Sequence, residues 1–128
     1  EGATGGGTGG TVPIISLFMT PDKIGRTWSE ANNYCLNKGA RLPTRDELIT
    51  LFKTATSGVS PNDEMCKVHG WPLRGMCGGS TPSQSLHYWS STRVGTGSHV
   101  SVGLDYGNPA DAGDTLSLDH VACIIPGY

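Results

Sequence analysis

Hydrophobic residues recur at helical spacing soon after the start of the chain. Three of them share one predicted helix face: Trp28, Ala31 and Cys35. Thr27 and Glu30 have the spacing of a capping box, in which each side chain accepts a hydrogen bond from the backbone N–H of the other residue. Gly39 suits the left-handed position that ends a helix. The pattern therefore predicts a first helix over residues 28–38.

A second segment repeats this arrangement after a short extended link. Pro43 disfavours helical backbone at Leu42, and Thr44 with Glu47 has the spacing of a second capping box. Apolar residues then recur on one face: Leu48, Leu51, Phe52 and Ala55. We therefore expect a second helix over residues 45–54.

The region before the helices divides into two parts. Residues 1–11 contain six glycines, three threonines and no large apolar side chain, so burial cannot offset their ordering entropy and we expect a flexible tether. Residues 12–19 are a mainly apolar run with a proline near its start, which predicts an opening β-strand. The folded domain is therefore expected to span residues 12–128.

The hydrophobic period changes to two in the last third of the chain. Residues 87–92 predict one strand. A second is predicted by apolar residues that alternate with polar or small ones: Val100, Val102 and Leu104. Residues 105–114 are rich in glycine and aspartate and are expected to form a turn-rich tip.

Two more strands are expected near the end of the chain. Leu116 and Leu118 alternate with polar residues. Alternation then resumes on the other parity at Val121, Cys123 and Ile125. The change of parity indicates a break near residues 119–120. The order of strand, helices, long loop and antiparallel strands predicts an α+β fold.

Composition narrows the functional classes. Charged residues make up 16% of the chain and glycines number 19, which favours a loop-rich extracytoplasmic domain over a helical bundle. A formal net charge of −2 offers no basic surface for nucleic acid or anionic lipid. No apolar run is long enough to span a bilayer, and the start of the chain lacks the layout of a signal peptide.

The stretch from residue 56 to residue 86 has no hydrophobic period and contains two of the four cysteines, Cys66 and Cys77. The other two are Cys35 and Cys123. None forms a Cys-x-x-Cys pair or a zinc-like pattern with histidine, so disulfides made in an oxidising compartment are favoured. Three pairings are possible from the sequence. A bond between Cys66 and Cys77 would close the long loop on itself.

Three separated motifs resemble C-type lectin-like domains. They are Trp-Ser-Glu-Ala at 28–31 with Cys35 and Gly-Ala-Arg-Leu-Pro-Thr-Arg-Asp-Glu-Leu at 39–48, Tyr-Trp-Ser-Ser at 88–91, and Leu-Asp-His-Val-Ala-Cys at 118–123. This combination is similar to the compact bacterial form that ends intimin- and invasin-type adhesins. A related form ends some bacterial collagen-like surface proteins. The resemblance covers about residues 17–125.

The resemblance implies a C-type lectin-like fold in which two short helices pack on small antiparallel sheets. It implies a Cys35–Cys123 disulfide, which leaves Cys66 to pair with Cys77. It also implies a virulence-related adhesin tip domain at the bacterial outer-membrane surface, preceded by immunoglobulin-like domains. Its partner would be a host cell-surface or secreted protein such as a receptor, an integrin or an immunoglobulin. The alternatives are a glycan-binding lectin domain and a structural or oligomerisation cap.

Metal-binding and catalytic patterns are not found in the sequence. The Glu-Pro-Asn, Gln-Pro-Asp and Trp-Asn-Asp tripeptides of calcium-binding relatives do not occur. The nearest oxygen-bearing residues are Asp105, Asn108, Asp111 and Asp114, which turn formation explains better. Four histidines lack metal-binding spacing and are expected to be structural: His69, His87, His99 and His120. We expect no metal, no cofactor and no enzymatic activity.

Recognition of a partner through the protein surface is the remaining expectation. The long loop carries Trp71, Arg74 and Met76, and Trp and Arg are enriched in interface hot spots. Further candidates lie on neighbouring strand ends: Arg93, Asp105, Tyr106 and Asp111. A disulfide within the loop would lower the ordering cost of binding. In the alternative interpretation, Trp71 packs a small core beneath its own loop.

Overall fold

The computed structural model describes residues 13–78 and 85–128. Its elements are a 3₁₀ helix (Ile14–Leu17), three α-helices, α1 (Trp28–Leu36), α2 (Arg45–Ala55) and α3 (Glu64–Lys67), and three strands, β1 (His87–Arg93), β2 (Ser98–Gly103) and β3 (Asn108–Gly113). This confirms the predicted α+β class. The predicted tether, residues 1–11, lies outside the described residues. Within the described ranges, no helix is both long and apolar enough to cross a bilayer.

Both long helices begin where their capping boxes predict. Thr27 and Glu30 exchange side-chain and backbone hydrogen bonds at the start of α1, and Thr44 and Glu47 do so at the start of α2. Gly39 takes a φ of +70° after α1, as predicted. The first helix ends two residues earlier than expected and the second ends one residue later.

The opening strand predicted over residues 12–19 is wrong. Residues Ile14–Leu17 form a 3₁₀ helix, in which both the backbone N–H and the hydroxyl of Ser16 donate to the carbonyl of Pro13. These bonds compete locally with extended backbone. Among residues 13–19, only Phe18 makes a strand-like bridge, to Ile124. The segment still packs beside the end of the chain, since Met19 N–H donates to Cys123 O at 2.8 Å.

The three strands form one antiparallel sheet in the order β1-β2-β3. Its two faces pack into separate hydrophobic clusters. One cluster includes Tyr88 and Val102 of the sheet with the apolar face of α2: Leu48, Leu51 and Phe52. The other joins Trp89 to α1 through Ala31 and Cys35. Each long helix therefore covers one face of the sheet.

The end of the chain differs from the prediction in two respects. The turn-rich tip expected over residues 105–114 is shorter, because Asn108–Gly113 pair with β2 as an edge strand. The strands expected at 116–118 and 121–125 are absent from the described chain, and only single bridges form, at Asp119, His120 and Ile124. Leu116 is 88% exposed. Residues 121–124 are all buried, because this segment lies between layers and has no solvent face.

Two disulfides bind the fold together. Cys35 of α1 is bonded to Cys123, with a Cα–Cα distance of 5.5 Å, as the resemblance implied. Cys66 in α3 is bonded to Cys77, with a Cα–Cα distance of 5.7 Å. The second bond closes part of the long loop, which therefore has internal structure that its lack of hydrophobic period did not predict.

Candidate functional site

The long loop is anchored to the turn that follows β2. Asn62 N–H donates to the carbonyl of Asp105 at 2.8 Å. The Ser60 hydroxyl donates to the carbonyl of Tyr106 at 2.9 Å. These bonds place the loop at residues 57–62 against the turn at residues 104–107, which joins β2 to β3. Two parts of the chain that are distant in sequence thus form one surface.

A tight hairpin lies beside this contact. Leu73 and Met76 exchange two backbone hydrogen bonds, at 3.2 and 2.8 Å, around the two turn residues Arg74 and Gly75. The disulfide at Cys77 fixes the end of this hairpin to α3. Arg74 N–H also donates to the carbonyl of Ser85 at 3.0 Å. The position of the hairpin is therefore set from both sides.

Trp71 is not part of the surface, and its assignment as an exposed binding residue is wrong. It is only 4% exposed. Its ring lies between Phe18 and Tyr88, with centroids 5.6 Å from each. The alternative interpretation is correct that Trp71 is buried, but it is wrong about the site of burial, because Trp71 joins the main core and not a small core beneath its own loop. The indole anchors the loop, in which Arg74 and Met76 remain exposed.

A groove of about 430 Å³ runs between the hairpin and the loop. Its apolar lining comes from Pro61, Leu73, Met76 and Leu86. Its charged lining comes from Asp63, Arg74 and Asp105. A smaller hollow of about 190 Å³ adjoins it, since both include Leu86 and Asp105, and adds the 48% exposed side chain of Tyr106. The sequence analysis did not predict Pro61 or Leu86 as site residues, because only the fold brings them close to the hairpin.

The candidate residues fall into two groups. Arg74, Met76, Asp105 and Tyr106 line the two adjoining hollows. Arg93 and Asp111 line a different hollow of about 430 Å³ beside the start of α2. The prediction that Arg93 and Asp111 extend the same patch is not supported, because Asp111 pairs with Val100 across β2 and β3 and lines the hollow beside α2 together with it.

The charges around the larger groove are unevenly paired. Asp63 forms an ion pair with Lys67 at 3.2 Å. Within the described residues, neither Arg74 nor Asp105 forms an ion pair. An exposed guanidinium and a carboxylate therefore line one groove without being neutralised by each other.

The oxygen-bearing residues considered for calcium do not converge. Asp105 lies in the turn, while Asn108 and Asp111 lie along β3. Asp114 accepts a hydrogen bond from Nδ1 of His99 at 2.7 Å. In the parts of the chain that the structure describes, no three His, Cys, Asp or Glu residues are grouped so as to hold a metal ion.

The histidines have structural contacts, as expected. His69 Nε2 lies 2.7 Å from the carbonyl of Ala55, and His87 Nδ1 lies 3.0 Å from the hydroxyl of Ser101. His99 is buried beside Trp28. His120 is fully buried, with its ring 5.3 Å from that of Tyr88.

Asp119 and His120 are buried titratable neighbours at the seam between β1 and the end of the chain. Burial raises the pKa of Asp119, an effect that the Ser85 hydroxyl and the charge of His87 oppose. Burial lowers the pKa of His120, opposed by the Ser85 backbone and the charge of Asp22. Both side chains are therefore costly to ionise in the folded state.

Comparison with known proteins identifies the family. The model of the InvE adhesion domain matches residues 18–124, which is most of the chain. The chain belongs to this family. The InvE-type domain is thus an adhesin domain of the invasin and intimin type, as the sequence motifs indicated, with a role in cell adhesion and an exposed location on the bacterial surface. No curated protein matches the sequence significantly.

A solved structure shows the same fold. The adhesin InvE of Yersinia pseudotuberculosis matches with a TM-score of 0.57 and 24% sequence identity over 78% of this chain. The match covers 24% of that protein, so the chain corresponds to a small part of the longer adhesin. At this level of identity the likeness concerns architecture, and it supports the C-type lectin-like fold of the InvE-type domain.

Proposed function

We propose that this InvE-type domain mediates adhesion by binding a host protein through the hairpin–turn surface, which we define as Arg74, Met76, Asp105 and Tyr106. The observation that carries the proposal is that the fold brings these four residues to two adjoining hollows. Arg, Met and Tyr are enriched at protein interfaces. Such interfaces usually have an apolar centre surrounded by a polar rim.

The hairpin–turn surface is held in place before binding. Trp71 anchors one side of the hairpin in the core, and the Cys66–Cys77 bond fixes the other. Hydrogen bonds from Ser60 and Asn62 hold the turn that carries Asp105 and Tyr106. Binding therefore orders few additional groups, which favours recognition of a folded protein surface.

We further propose that binding does not require calcium, that the domain acts without catalysis, and that it forms the exposed tip of an outer-membrane adhesin in which immunoglobulin-like domains precede it. The missing calcium tripeptides support the first point. The second and third rest on membership of an adhesin family of this type.

Adhesion of domain-coated beads to cultured epithelial cells tests the proposal. Tyr106→Ala and Met76→Ala should each reduce bead adhesion about tenfold, as expected of hot-spot residues. Tyr128→Ala is the matched control, since Tyr128 is 65% exposed and lies outside both hollows. Each variant should keep the melting temperature of the parent domain to within a few degrees.

The same assay includes arms that would contradict the proposal. Loss of adhesion with a calcium chelator would overturn calcium independence. Adhesion that survives trypsin treatment of the cells but not glycosidase treatment would identify a glycan as the partner. Equal adhesion by the Tyr106 and Tyr128 variants would show that the hairpin–turn surface is not the binding site.

A further inference from the structure

Arg74 occupies a backbone position at which glycine is preferred. Its φ is +54°, in the left-handed region, whereas the next residue, Gly75, has no positive φ. A positive φ at only the first of two turn residues is the pattern of a type II′ turn, in which glycine is favoured at that first residue. The sequence therefore places arginine in the position that suits glycine, and glycine in the position that any residue can adopt.

The hairpin does not use the side chain that it holds in this unfavourable conformation. Arg74 is exposed and forms no ion pair with any described residue. Its structural hydrogen bond, to the carbonyl of Ser85, comes from the backbone N–H, which glycine supplies equally well. Residues held in sparsely populated backbone regions occur preferentially at functional sites. Within the described residues, the side chain of Arg74 therefore has no ion pair that explains why arginine occupies this position.

The surroundings of Arg74 define the chemistry of a contact outside the chain. Its guanidinium adjoins a groove whose apolar lining includes Leu73, Met76 and Leu86. A planar guanidinium donates two parallel hydrogen bonds to a carboxylate. Asp105 lines the same groove and forms no ion pair with a described residue, so its negative charge repels an incoming carboxylate and attraction at this groove depends on the guanidinium of Arg74.

We propose that Arg74 binds an aspartate or glutamate side chain of the host protein, and that an apolar side chain next to it in the partner fills the groove at Met76. This inference rests on the proposed function and specifies the partner's chemistry at the same surface. It also assigns a reason for the unfavourable turn, because a glycine there would improve the hairpin and remove the recognition group.

Two substitutions separate recognition from folding. Arg74→Gly should reduce bead adhesion about tenfold or more, while its melting temperature equals that of the parent or exceeds it by up to about 4 °C. If Arg74 served only the structure, Arg74→Gly would lower the melting temperature and leave adhesion unchanged. Arg74→Lys should show an intermediate loss, since an ammonium lacks the planar fork.

A charge-matched pair completes the test. Arg74→Gln should lower adhesion about as much as Arg74→Gly, and Arg93→Gln, which makes the same change in a different hollow, should stay within about twofold of the parent. If Arg74→Gln adheres as well as the parent while Tyr106→Ala does not, the assignment of Arg74 is wrong and the proposed function stands. If beads with the parent domain adhere no better than albumin-coated beads, both proposals fail.

The source of the carboxylate is tested on treated cells. Adhesion should persist after sialidase and heparinase treatment and disappear after trypsin treatment, as expected for a protein carboxylate. Loss of adhesion after sialidase treatment would identify a sugar carboxylate as the group that Arg74 binds. Loss of adhesion after heparinase treatment would identify a sulfate. Either result overturns the proposed partner chemistry.

Discussion

The indole of Trp28 lies parallel to the imidazole of His99, with ring centroids 3.8 Å apart and an interplanar angle of 9°. The indole N–H donates to the carbonyl of Ser90 at 2.9 Å, and His99 Nδ1 pairs with Asp114 at 2.7 Å. One stacked pair therefore connects α1, β1, β2 and the turn after β3. One contact between the first helix and the sheet therefore lies beside the capping box that starts the helix.

Replacing Trp28 should weaken this connection in two steps. Trp28→Phe removes the indole N–H and should cost about 1 kcal/mol of unfolding free energy, whereas Trp28→Ala also removes the stacked ring and should cost about 3 kcal/mol. Urea denaturation measures both. Leu36→Ala on the same helix is the control, since Leu36 is 56% exposed and its loss should cost less than about 0.5 kcal/mol. Equal costs at the two positions would contradict the role of the stack.

Trp71→Ala should act on folding and not specifically on binding. The ring is buried between Phe18 and Tyr88, so its removal should cost about 3–5 kcal/mol. Thermal denaturation checks this. Met76→Ala, at a 40% exposed position of the same loop, should cost less than about 1 kcal/mol. A Trp71→Ala domain with parental stability but impaired adhesion would show that the indole contacts the partner.

The two disulfides should contribute differently to stability. Cys35 and Cys123 are 88 residues apart and Cys66 and Cys77 are 11 apart. In the chain-entropy account the first contributes about 4.6 kcal/mol and the second about 2.8 kcal/mol. Paired alanine variants, compared by denaturant unfolding, test the order. In addition, Cys66→Ala with Cys77→Ala should lower bead adhesion more than stability alone explains, because the hairpin loses its link to α3.

Stability should depend on pH through His120. Because the folded-state pKa lies below the ordinary 6.5, the unfolded chain binds a proton more readily than the folded chain. Stability is therefore complete above pH 6.5 and falls as the pH decreases from there to the folded pKa, by up to about 1.4 kcal/mol for each pH unit. The ring of Tyr88 lies 5.3 Å from that of His120, and the negative charge of Asp22 partly opposes the lowering of the pKa. His120→Phe should flatten the difference in unfolding free energy between pH 7 and pH 5.5, and an unchanged slope would refute the assignment.

Asp119 should have the opposite effect at lower pH. Its folded-state pKa is raised above 3.8, so the ionised carboxylate lowers stability above that pKa, and stability is regained as the pH falls through it. Asp119→Asn should therefore stabilise the domain at pH 7, with a gain that vanishes below about pH 3.8. Asp111→Asn, at an exposed position, should change stability by less than about 0.5 kcal/mol. A destabilised Asp119→Asn variant at pH 7 would contradict this prediction.

Local signals predicted the two long helices well because capping chemistry is contained within four residues. Thr44 and Glu47 satisfy each other's backbone N–H groups wherever the helix is placed. β1 and β2 were likewise predictable, since hydrophobic alternation follows from their position over the core. The family motifs supplied the Cys35–Cys123 pairing, which the spacing of the cysteines left open.

The remaining elements depend on contacts that are distant in sequence. β3 contains Asn108, Pro109 and Gly113, which are turn-forming types, and it is extended because β2 pairs with it. Residues 121–124 do not alternate because they are covered on all sides. The burial of Trp71 also depends on contacts that are distant in sequence, because a tryptophan side chain suits both an interface and a core. Only the placement of Phe18 and Tyr88 decides between them.

The bond between Cys35 and Cys123 gives the domain a property that its contacts alone do not supply. Most of the chain lies between these two residues, so a protease that cuts any one peptide bond within that span leaves both fragments covalently joined. A nicked domain would still present its surface as a single molecule until a reductant released the pieces. For a protein displayed among extracellular proteases, the cross-link thus keeps both fragments attached to each other after a single cleavage.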